Sequence, residues 1–257
     1  MTSIARGAGA WIRRYQEAPD SEIQLLCFPY AGGSASYFFP LSKALAPSVE
    51  VRAVQYPGRQ DRYREPCVED LHTLADAVVE SLREIDGFFD KPLALFGHSM
   101  GATLAYEVAL RLEARLGVTP AVLFASGRRA PSTHRDEAVR LRDDDGVVRE
   151  LRLLDGTNGA VFQDEELLRM ALPAIRGDYH AIETYRCAPG ERVSCPITVL
   201  TGDADPRTTI DEARAWQEHT TGAFDLQVFP GGHFFINEQV PVVVKAVAER
   251  LRAVHDG

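Results

Sequence analysis

A serine flanked by glycines is the first residue of chemical interest, in the pentapeptide Gly97-His98-Ser99-Met100-Gly101. Residues 92–96 before it are apolar or small, as in a strand buried on both faces, and small helix-forming residues follow it. A serine on such a sharp strand-to-helix turn has a strained backbone, and its neighbours two positions away must lack bulk. The pattern predicts that Ser99 is a nucleophile, with the amides of the next helix facing any negative charge that forms beside it.

A nucleophilic serine needs a general base, and one of the seven histidines has a suitable place in the chain. His233 stands on a Gly-Gly loop after a predicted strand at 224–229, close to the carboxyl end. Hydrolases with the chain order Ser, Asp, His carry their base there. His98 belongs to the turn and is expected to point away from Ser99, and the other histidines fall on helical or polar segments. We predict that His233 is the base.

Two aspartates are candidates for the acid that orients this histidine. Asp203 and Asp205 both follow the predicted strand that ends at Leu200, so both are expected at the same edge of the sheet as Ser99. Asp205 is preferred, because it precedes Pro206 at a bend from which its carboxylate can reach Nδ1 of the imidazole. Asp203 stays the alternative, and its other interpretation is a cap of the turn.

An early glycine-rich turn offers a backbone donor for the oxyanion of the reaction. Residues 29–34 follow a predicted strand at 23–28 and contain Gly32 and Gly33, which allow close backbone approach. In hydrolases of this layout, one oxyanion donor is an N–H of the loop after an early strand. Ala31 is the preferred donor and Tyr30 the near alternative, while a plain turn that opens a helix is the other interpretation.

The segments that must position these residues alternate between strand and helix patterns. After a polar arm, segments rich in apolar residues predict strands at 23–28, 49–55, 92–96, 121–127, 194–200 and 224–229. Helical patterns cover 34–45, 68–85, the residues after Gly101, and 241–254. From 128 to 187 the strand pattern disappears, and helical segments at 136–154, 164–171 and 177–185 are too long for a simple crossover. We interpret 128–187 as a helical lid inserted in one domain that spans residues 1–257.

Composition limits the classes to which the protein can belong. With 257 residues, 45% hydrophobic and 25% charged, the chain is expected to fold as one ordinary globular domain. It shows no apolar run of signal-peptide or membrane-span length, so a cytoplasmic protein is expected. The four cysteines lie far apart and indicate neither a zinc site nor a disulfide framework. The net charge of −9 argues against binding to nucleic acids and to anionic membranes.

Four motifs in this order carry a family resemblance: Phe28-Pro29-Tyr30-Ala31-Gly32-Gly33, Gly97-His98-Ser99-Met100-Gly101, Gly202-Asp203-Ala204-Asp205 and Gly231-Gly232-His233-Phe234. The chain resembles the type II thioesterases, the stand-alone editing enzymes of polyketide and nonribosomal peptide synthesis. The resemblance implies an α/β-hydrolase fold with a mostly parallel central sheet, a triad of Ser99, Asp205 and His233, and backbone donors at Ala31 and Met100. It implies no metal and no cofactor.

The resemblance also implies a substrate and a partner. The substrate is an acyl group held as a thioester on the phosphopantetheine arm of an acyl or peptidyl carrier protein, and the task is the release of aberrant or stalled acyl units. Carrier proteins are generally acidic around that arm, so local basic residues are expected to meet them. The candidates, all on loops that follow core strands, are Arg59, Arg62, Arg64, Arg128 and Arg129. A solvated basic face is their other interpretation, and a monomer is expected.

Two rival functions stay open at this point. A triad cannot distinguish an ester from a thioester, so a carboxylesterase or lipase-like hydrolase is the alternative enzyme. A catalytically idle module that binds carrier proteins would keep the same fold without the chemistry. The intact set of Ser99, Asp205 and His233 argues against the idle module.

Overall fold

The computed structural model describes residues 8–135, 137–155 and 165–255. In this part of the chain seven strands form one sheet: β1 (Ile12–Arg14), β2 (Ile23–Phe28), β3 (Val49–Val54), β4 (Leu93–His98), β5 (Leu123–Ser126), β6 (Ile197–Gly202) and β7 (Phe224–Phe229). Their order across the sheet is β1-β3-β2-β4-β5-β6-β7. β1 runs antiparallel to β3, and all other neighbours are parallel. The sheet confirms the predicted, mostly parallel α/β fold.

Helices cover both faces of this sheet. Those of the described residues are α1 (Phe39–Leu45), α2 (Leu71–Arg83), α3 (Met100–Arg111), α4 (Asp144–Asp155), α5 (Glu165–Thr184), α6 (Ile210–Arg214), α7 (Phe235–Glu238) and α8 (Val240–His255). Leu25 and Cys27 of β2 belong to the hydrophobic core beneath α1 and α8, whereas Leu26 and Phe28 belong to the core beneath α2 and α3. Because side chains alternate along a strand, a strand covered on both faces is apolar throughout.

The amino-terminal arm contains a strand that the sequence did not predict. Ile12–Arg14 pairs with Arg52–Val54 as β1, and the neighbouring Trp11 is buried. β1 has only three residues, two of them arginines, so it lacks the alternating apolar pattern on which strand prediction depends. Its formation depends on an edge of β3 that is distant in sequence.

The segment between β5 and β6 holds α4 and α5, and its helices differ from the predicted ones. The helical pattern predicted at 136–154 is a short 3-10 turn at Val139–Leu141 followed by α4. The two helices predicted at 164–171 and 177–185 are one helix, α5, which contains Pro173. Asp136 and Asp164, where two of the predicted helices begin, lie outside the described residues.

A continuous apolar stripe accounts for the length of α5. Its buried residues recur at three- and four-residue spacing, at Leu168, Leu172, Ile175, Tyr179 and Ile182. This packing outweighs the hydrogen bond that a proline inside a helix removes. Among the residues that the structure describes, none of the helices combines the length and the apolar character needed to cross a membrane.

Candidate active site

Ser99 lies on the sharp turn between β4 and α3. Its backbone has φ 55° and ψ −121°, a strained conformation for a residue with a side chain. Gly97 and Gly101 make the turn possible: a Cβ at Gly97 would overlap the backbone of Gly101, and a Cβ at Gly101 would overlap the backbone carbonyl of Phe28. The amide of Ser99 donates a hydrogen bond of 2.8 Å to the carbonyl of Ser126 on β5, which holds the turn against the sheet.

The structure brings His233 and Asp205 to this serine. His233 Nε2 lies 2.9 Å from Ser99 Oγ, and His233 Nδ1 lies 2.9 Å from Asp205 Oδ2. Oδ1 of the same carboxylate accepts a hydrogen bond of 2.8 Å from the amide of Arg207. A carboxylate beside Nδ1 fixes the proton there, so Nε2 is free to accept the proton of the serine hydroxyl. Both Asp205 and His233 are buried.

Asp203 has a different position from Asp205. It is exposed, and its Oδ1 accepts a hydrogen bond of 3.0 Å from the amide of Gly231, the first residue of the Gly-Gly loop. A Cβ at Gly202 would overlap the backbone of this loop, so the loops after β6 and β7 pack closely. Asp203 therefore holds the loop that carries His233, and Asp205 contacts the imidazole.

Residues Tyr30–Gly33 form a tight turn beside the serine. The amide of Gly33 donates a hydrogen bond of 2.8 Å to the carbonyl of Tyr30, and Gly32 has φ 80°, as at the third position of a type II turn. Because the peptide unit is planar and trans, the N–H of Ala31 points opposite to the Tyr30 carbonyl, out of the turn. Met100 begins α3, where the amides of the first turn have no partner within the helix.

Ala31, Met100, Ser99 and His233 line one cavity of about 460 Å³, a volume that includes its open mouth. The segment between β5 and β6 also lines this cavity, with Leu154 on α4 and Tyr179 and Ile182 on α5. Within residues 8–135, 137–155 and 165–255, no three His, Cys, Asp or Glu side chains are grouped as a metal ion would require.

His98 packs behind the catalytic candidates without contacting the serine hydroxyl. Its side chain is fully buried, its Nδ1 lies 3.0 Å from Ser126 Oγ, and its ring centroid lies 5.3 Å from that of His233. Burial lowers the pKa of His98 well below its usual value, and the nearby His233 lowers it further. His98 is therefore uncharged at neutral pH and acts as a packed side chain of the core.

Three of the five arginines predicted to meet a partner are interior residues. Arg59 is only 7% exposed and forms an ion pair with Asp178 of α5. Arg62 is 2% exposed, lies over the ring of Trp11 and donates a hydrogen bond to the carbonyl of Gln55.

Arg129 is also buried, where it forms an ion pair with Glu137. The prediction that Arg59, Arg62 and Arg129 are surface charges is therefore wrong. The sequence pattern did not reveal that each would find a partner that neutralises it in the interior. Arg64 is exposed and lies over the ring of Tyr63, and Arg128 is half-buried on the wall of the serine cavity.

Several residues that surround the site were not predicted from the sequence. Leu154, Tyr179 and Ile182 line the cavity, and the amide of Arg207 holds Asp205. The helical spacing around Leu154, Tyr179 and Ile182 indicated only an apolar helix face. A signal for Arg207 did exist, because an amide two residues after an aspartate commonly binds its carboxylate in an Asx turn.

Comparison with known proteins identifies the family. The family model described as the thioesterase domain matches residues 23–253, which is most of the chain. The chain belongs to the thioesterase family. The thioesterase is 54% identical over 251 residues to the "probable cadicidin biosynthesis thioesterase" of Streptomyces griseus, covering 98% of this chain and 68% of that protein. It is 47% identical over 244 residues to thioesterase PikA5 of Streptomyces venezuelae, covering 95% and 86% of the two chains.

Solved structures agree with the sequence relatives. The thioesterase superimposes on the type II thioesterase BorB from the borrelidin biosynthetic cluster with a TM-score of 0.88 and 52% identity, covering 94% of this chain and 98% of BorB. RedJ, a thioesterase from the prodiginine pathway in Streptomyces coelicolor, gives a TM-score of 0.84 and 37% identity, with 90% and 87% covered. These findings confirm the resemblance to type II thioesterases, and the thioesterase is a hydrolase that acts on thioesters.

Proposed function

We propose that this thioesterase releases aberrant or stalled acyl groups from the phosphopantetheine arm of acyl or peptidyl carrier proteins. The observation that carries the proposal is the chain of 2.9 Å contacts from Ser99 through His233 to Asp205, at the floor of a cavity that opens to solvent. Relatives named for cadicidin, borrelidin and prodiginine biosynthesis support an editing role beside a synthase. The proposal includes that the protein is a monomer and acts in the cytoplasm.

The first half-reaction transfers the acyl group to the enzyme. As Ser99 Oγ attacks the thioester carbonyl, His233 Nε2 takes the hydroxyl proton, and Asp205 stabilises the imidazolium that forms. The amides of Ala31 and Met100 bind the oxyanion, an interaction for which each donor contributes roughly 10²- to 10³-fold in rate. The carbon–sulfur bond then breaks, and the pantetheine sulfur leaves with the proton from His233.

The second half-reaction hydrolyses the acyl-serine. A water molecule takes the place of the thiol, and His233 removes its proton as the oxygen attacks the ester carbonyl. The same two amides bind the second oxyanion, and the carboxylic acid leaves as Ser99 regains its proton. In this scheme His233 carries every transferred proton, and Asp205 and the amides of Ala31 and Met100 stabilise every charge that forms.

Residues 128–187 are proposed as the lid that selects the acyl group. Leu154, Tyr179 and Ile182 line the same cavity as Ser99. An acyl chain bound to the serine would therefore share this cavity with side chains of α4 and α5. Apolar chains of different length differ by about 0.8 kcal/mol for each methylene group they bury. A wall of fixed shape could therefore favour chains of one length.

Arg64 and Arg128 remain as candidates for contact with a carrier protein. Arg128 faces the serine cavity, and burial lowers its pKa, with Arg129 lowering it further, yet a guanidinium remains charged at neutral pH. Arg64 is exposed on the loop after β3, at the same edge of the sheet as Ser99.

Charge reversal at the exposed arginine tests the carrier contact. Arg64→Glu should raise KM for acyl-carrier protein and weaken its dependence on ionic strength, because rim charges act mainly on association. Hydrolysis of a small acyl-pantetheine thioester should not change. The matched control is Arg252→Glu, an exposed arginine of α8 beside Ile23 and Val49, at the opposite edge of the sheet. Equal effects of the two substitutions would remove Arg64 from the docking surface.

One experiment separates the proposed function from its rivals. Acyl-carrier proteins are incubated with the enzyme and followed by mass spectrometry, beside matched thioesters and oxygen esters of pantetheine. We expect loss of the acyl group from the carrier and faster hydrolysis of the thioester. A preference for the oxygen ester would identify a carboxylesterase. Failure of a serine-directed phosphonate to label Ser99, together with intact acyl-carrier protein, would identify a binding module.

A further inference from the structure

A buried ion pair lies directly against the turn that carries Ala31. Arg59, on the loop after β3, and Asp178, on α5, are 119 residues apart in sequence. The guanidinium donates two hydrogen bonds to the carboxylate, Nη1 to Oδ2 at 2.6 Å and Nη2 to Oδ1 at 2.8 Å. Asp178 is 1% exposed and Arg59 is 7% exposed. The two charges form a closed, bidentate pair in the interior.

Both members of the pair also bind the backbone of the turn. Oδ2 of Asp178 accepts a hydrogen bond of 2.7 Å from the amide of Gly32, and Nη1 of Arg59 donates one of 3.1 Å to the carbonyl of Gly33. The amide of Gly33 in turn binds the carbonyl of Tyr30 at 2.8 Å. These bonds fix the peptide units on either side of Ala31, so the direction of the Ala31 N–H depends on them.

The helix that carries the carboxylate is itself seated on the turn. A Cβ at Gly32 would overlap the side chain of Ile175, one turn before Asp178 on α5. Only a glycine allows this approach, and the same glycine has the positive φ that the turn requires. The turn is therefore held by α5 through one apolar contact and one charged hydrogen bond.

Stability alone is a poor reason for such a pair. Replacing a buried ion pair by apolar residues of similar volume is often neutral or stabilising, because both charges lose their hydration on burial. An oxyanion donor, in contrast, must be held close to its working position, and a displacement of about 1 Å can cost roughly 100-fold in rate. The pair supplies rigid, directional bonds at the place where the reaction needs them.

We propose that Arg59 and Asp178 are positioning residues of the oxyanion hole, which orient the Tyr30–Ala31 peptide so that the Ala31 N–H faces the oxyanion formed at Ser99. Neither side chain touches the reacting atoms; both act through the backbone of the turn. The inference rests on the proposed function, since it assigns the supports of an oxyanion donor in that mechanism.

The test is the double variant Arg59→Met/Asp178→Leu, which removes both charges and keeps apolar volume. We expect its melting temperature to stay near that of the wild type, while kcat for a small acyl-pantetheine thioester falls about 10- to 100-fold. KM should change less than about twofold, because substrate and transition state differ in their use of this donor. Affinity for an alkyl boronate, which forms a tetrahedral adduct with the serine, should fall by the same factor as kcat.

Affinity for the product carboxylic acid, which forms no such adduct, should stay the same. A double variant that folds and keeps the wild-type kcat would overturn the proposal. If that variant does not fold, Asp178→Asn decides, since it removes the charge and keeps the shape. The expected result is a fall in kcat of about tenfold with an unchanged KM, and an unchanged kcat overturns the proposal.

Two controls separate this inference from other causes. Arg62→Met removes a second buried arginine on the same loop, which pairs with Glu65 rather than with the turn, so stability should fall while kcat stays the same. Ser99→Ala tests the proposed function in the same assay. If Ser99→Ala keeps its activity, the proposed function fails. If it is inactive while the double variant is fully active, only the positioning role fails.

Discussion

The helices α4 and α5 both lie between β5 and β6 in the chain, yet they are attached to the protein in different ways. α5 contacts the active-site scaffold along its length: Ile175 packs on Gly32, Asp178 binds Arg59, and the hydroxyl of Tyr185, just after the helix, donates a hydrogen bond of 2.7 Å to Glu107 on α3. α4 is held by the buried Val147 and Leu151 and by two carboxylates: Glu150 pairs with Arg142 and Arg207, and Asp144 pairs with Arg176 of α5.

The difference assigns separate roles to the two helices. A movement of α5 would carry Asp178 away from Gly32 and would disturb the turn beside Ser99, so α5 is part of the active-site scaffold. To separate from the sheet, α4 must expose Val147, Leu151 and the carboxylate of Glu150 and must break the ion pair of Asp144 with Arg176 on α5. None of these contacts is a bond to that turn. If residues 128–187 act as a lid, we expect α4 to be the part that opens.

The largest expected effect concerns Ser99 and His233, which line the cavity to which both α4 and α5 contribute. Ser99→Ala and His233→Ala should each lower kcat by roughly 10⁴-fold or more, because either change disables the same nucleophile. Their double variant should be little worse than either single variant. Steady-state kinetics with a small acyl-pantetheine thioester provide the measurement. If either single variant kept most of its activity, Ser99 and His233 would not be the catalytic residues.

The next effect concerns Asp205, which binds the amide of Arg207, the residue whose side chain pairs with Glu150 of α4. Asp205→Asn should lower kcat by roughly 10³- to 10⁴-fold, because the amide no longer fixes the tautomer of His233. Asp203→Asn is the matched control on the same loop. Its side-chain oxygen can still accept the hydrogen bond from the Gly231 amide, so this variant should keep most of the activity. Kinetics of the two purified variants give the answer. A larger loss for Asp203→Asn would transfer the orienting role to that residue.

A pair of cavity variants compares the two helices directly. Ile182→Ala on α5 removes a buried side chain and should lower the free energy of unfolding by about 2–5 kcal/mol. Leu154→Ala on α4 removes a half-buried one and should cost about 1 kcal/mol or less. Both should improve the rate for longer acyl chains relative to short ones, since both side chains line the serine cavity.

Denaturant melts and kinetics over a series of chain lengths measure these effects. Equal destabilisation by the two variants would show that the helices are equally anchored. An unchanged preference for chain length in both would mean that the insertion supports the fold and does not select the substrate.

The smallest effect is a pH dependence of stability that arises from two buried histidines outside α4 and α5. Burial lowers the pKa of both His98 and His219 from 6.5, so the unfolded chain binds more protons than the native state below that pH. Stability is therefore fully present above pH 6.5 and is lost as pH falls, by up to about 1.4 kcal/mol per pH unit for each histidine.

His219→Gln should make this slope shallower between pH 6.5 and about 5, above the range in which carboxylates titrate. Its partners Ser132 and Tyr106 lie outside α4 and α5, so the preference for acyl-chain length should be unaffected. Denaturant unfolding at several pH values provides the measurement. A slope equal to that of the wild type would mean that His219 titrates alike in both states.

The strands and catalytic residues that could be predicted are those marked by a pattern in the neighbouring sequence. β7 was predicted with the bounds that the structure has, because apolar and polar residues alternate through most of Phe224–Phe229 between turn residues. The places of Ser99, Asp205 and His233 followed from strand ends, since parallel strands bring their carboxyl ends to one edge. Their 2.9 Å contacts depend on packing that the sequence does not display.

What was missed depends on partners that are remote in sequence. A loop with three arginines is expected to be solvated, and the carboxylate that buries Arg59 lies on a helix far along the chain. The sequence analysis predicted two helices where α5 is one, because Pro173 interrupts the local helical pattern. The apolar stripe that stabilises α5 does so only by packing against the core, which the local sequence does not show. β1 was missed because it exists only against the edge of β3.

The ion pair between Arg59 and Asp178 also sets the limits of what can be exchanged between relatives. A chimera that receives residues 128–187 from another thioesterase inherits the donor's residue at 178 but keeps the recipient's residue at 59. Where the two do not match, the graft leaves a buried charge without its counter-ion. If residues 128–187 select the acyl group as proposed, recombination can exchange this specificity only by carrying over the short loop after β3 together with that segment.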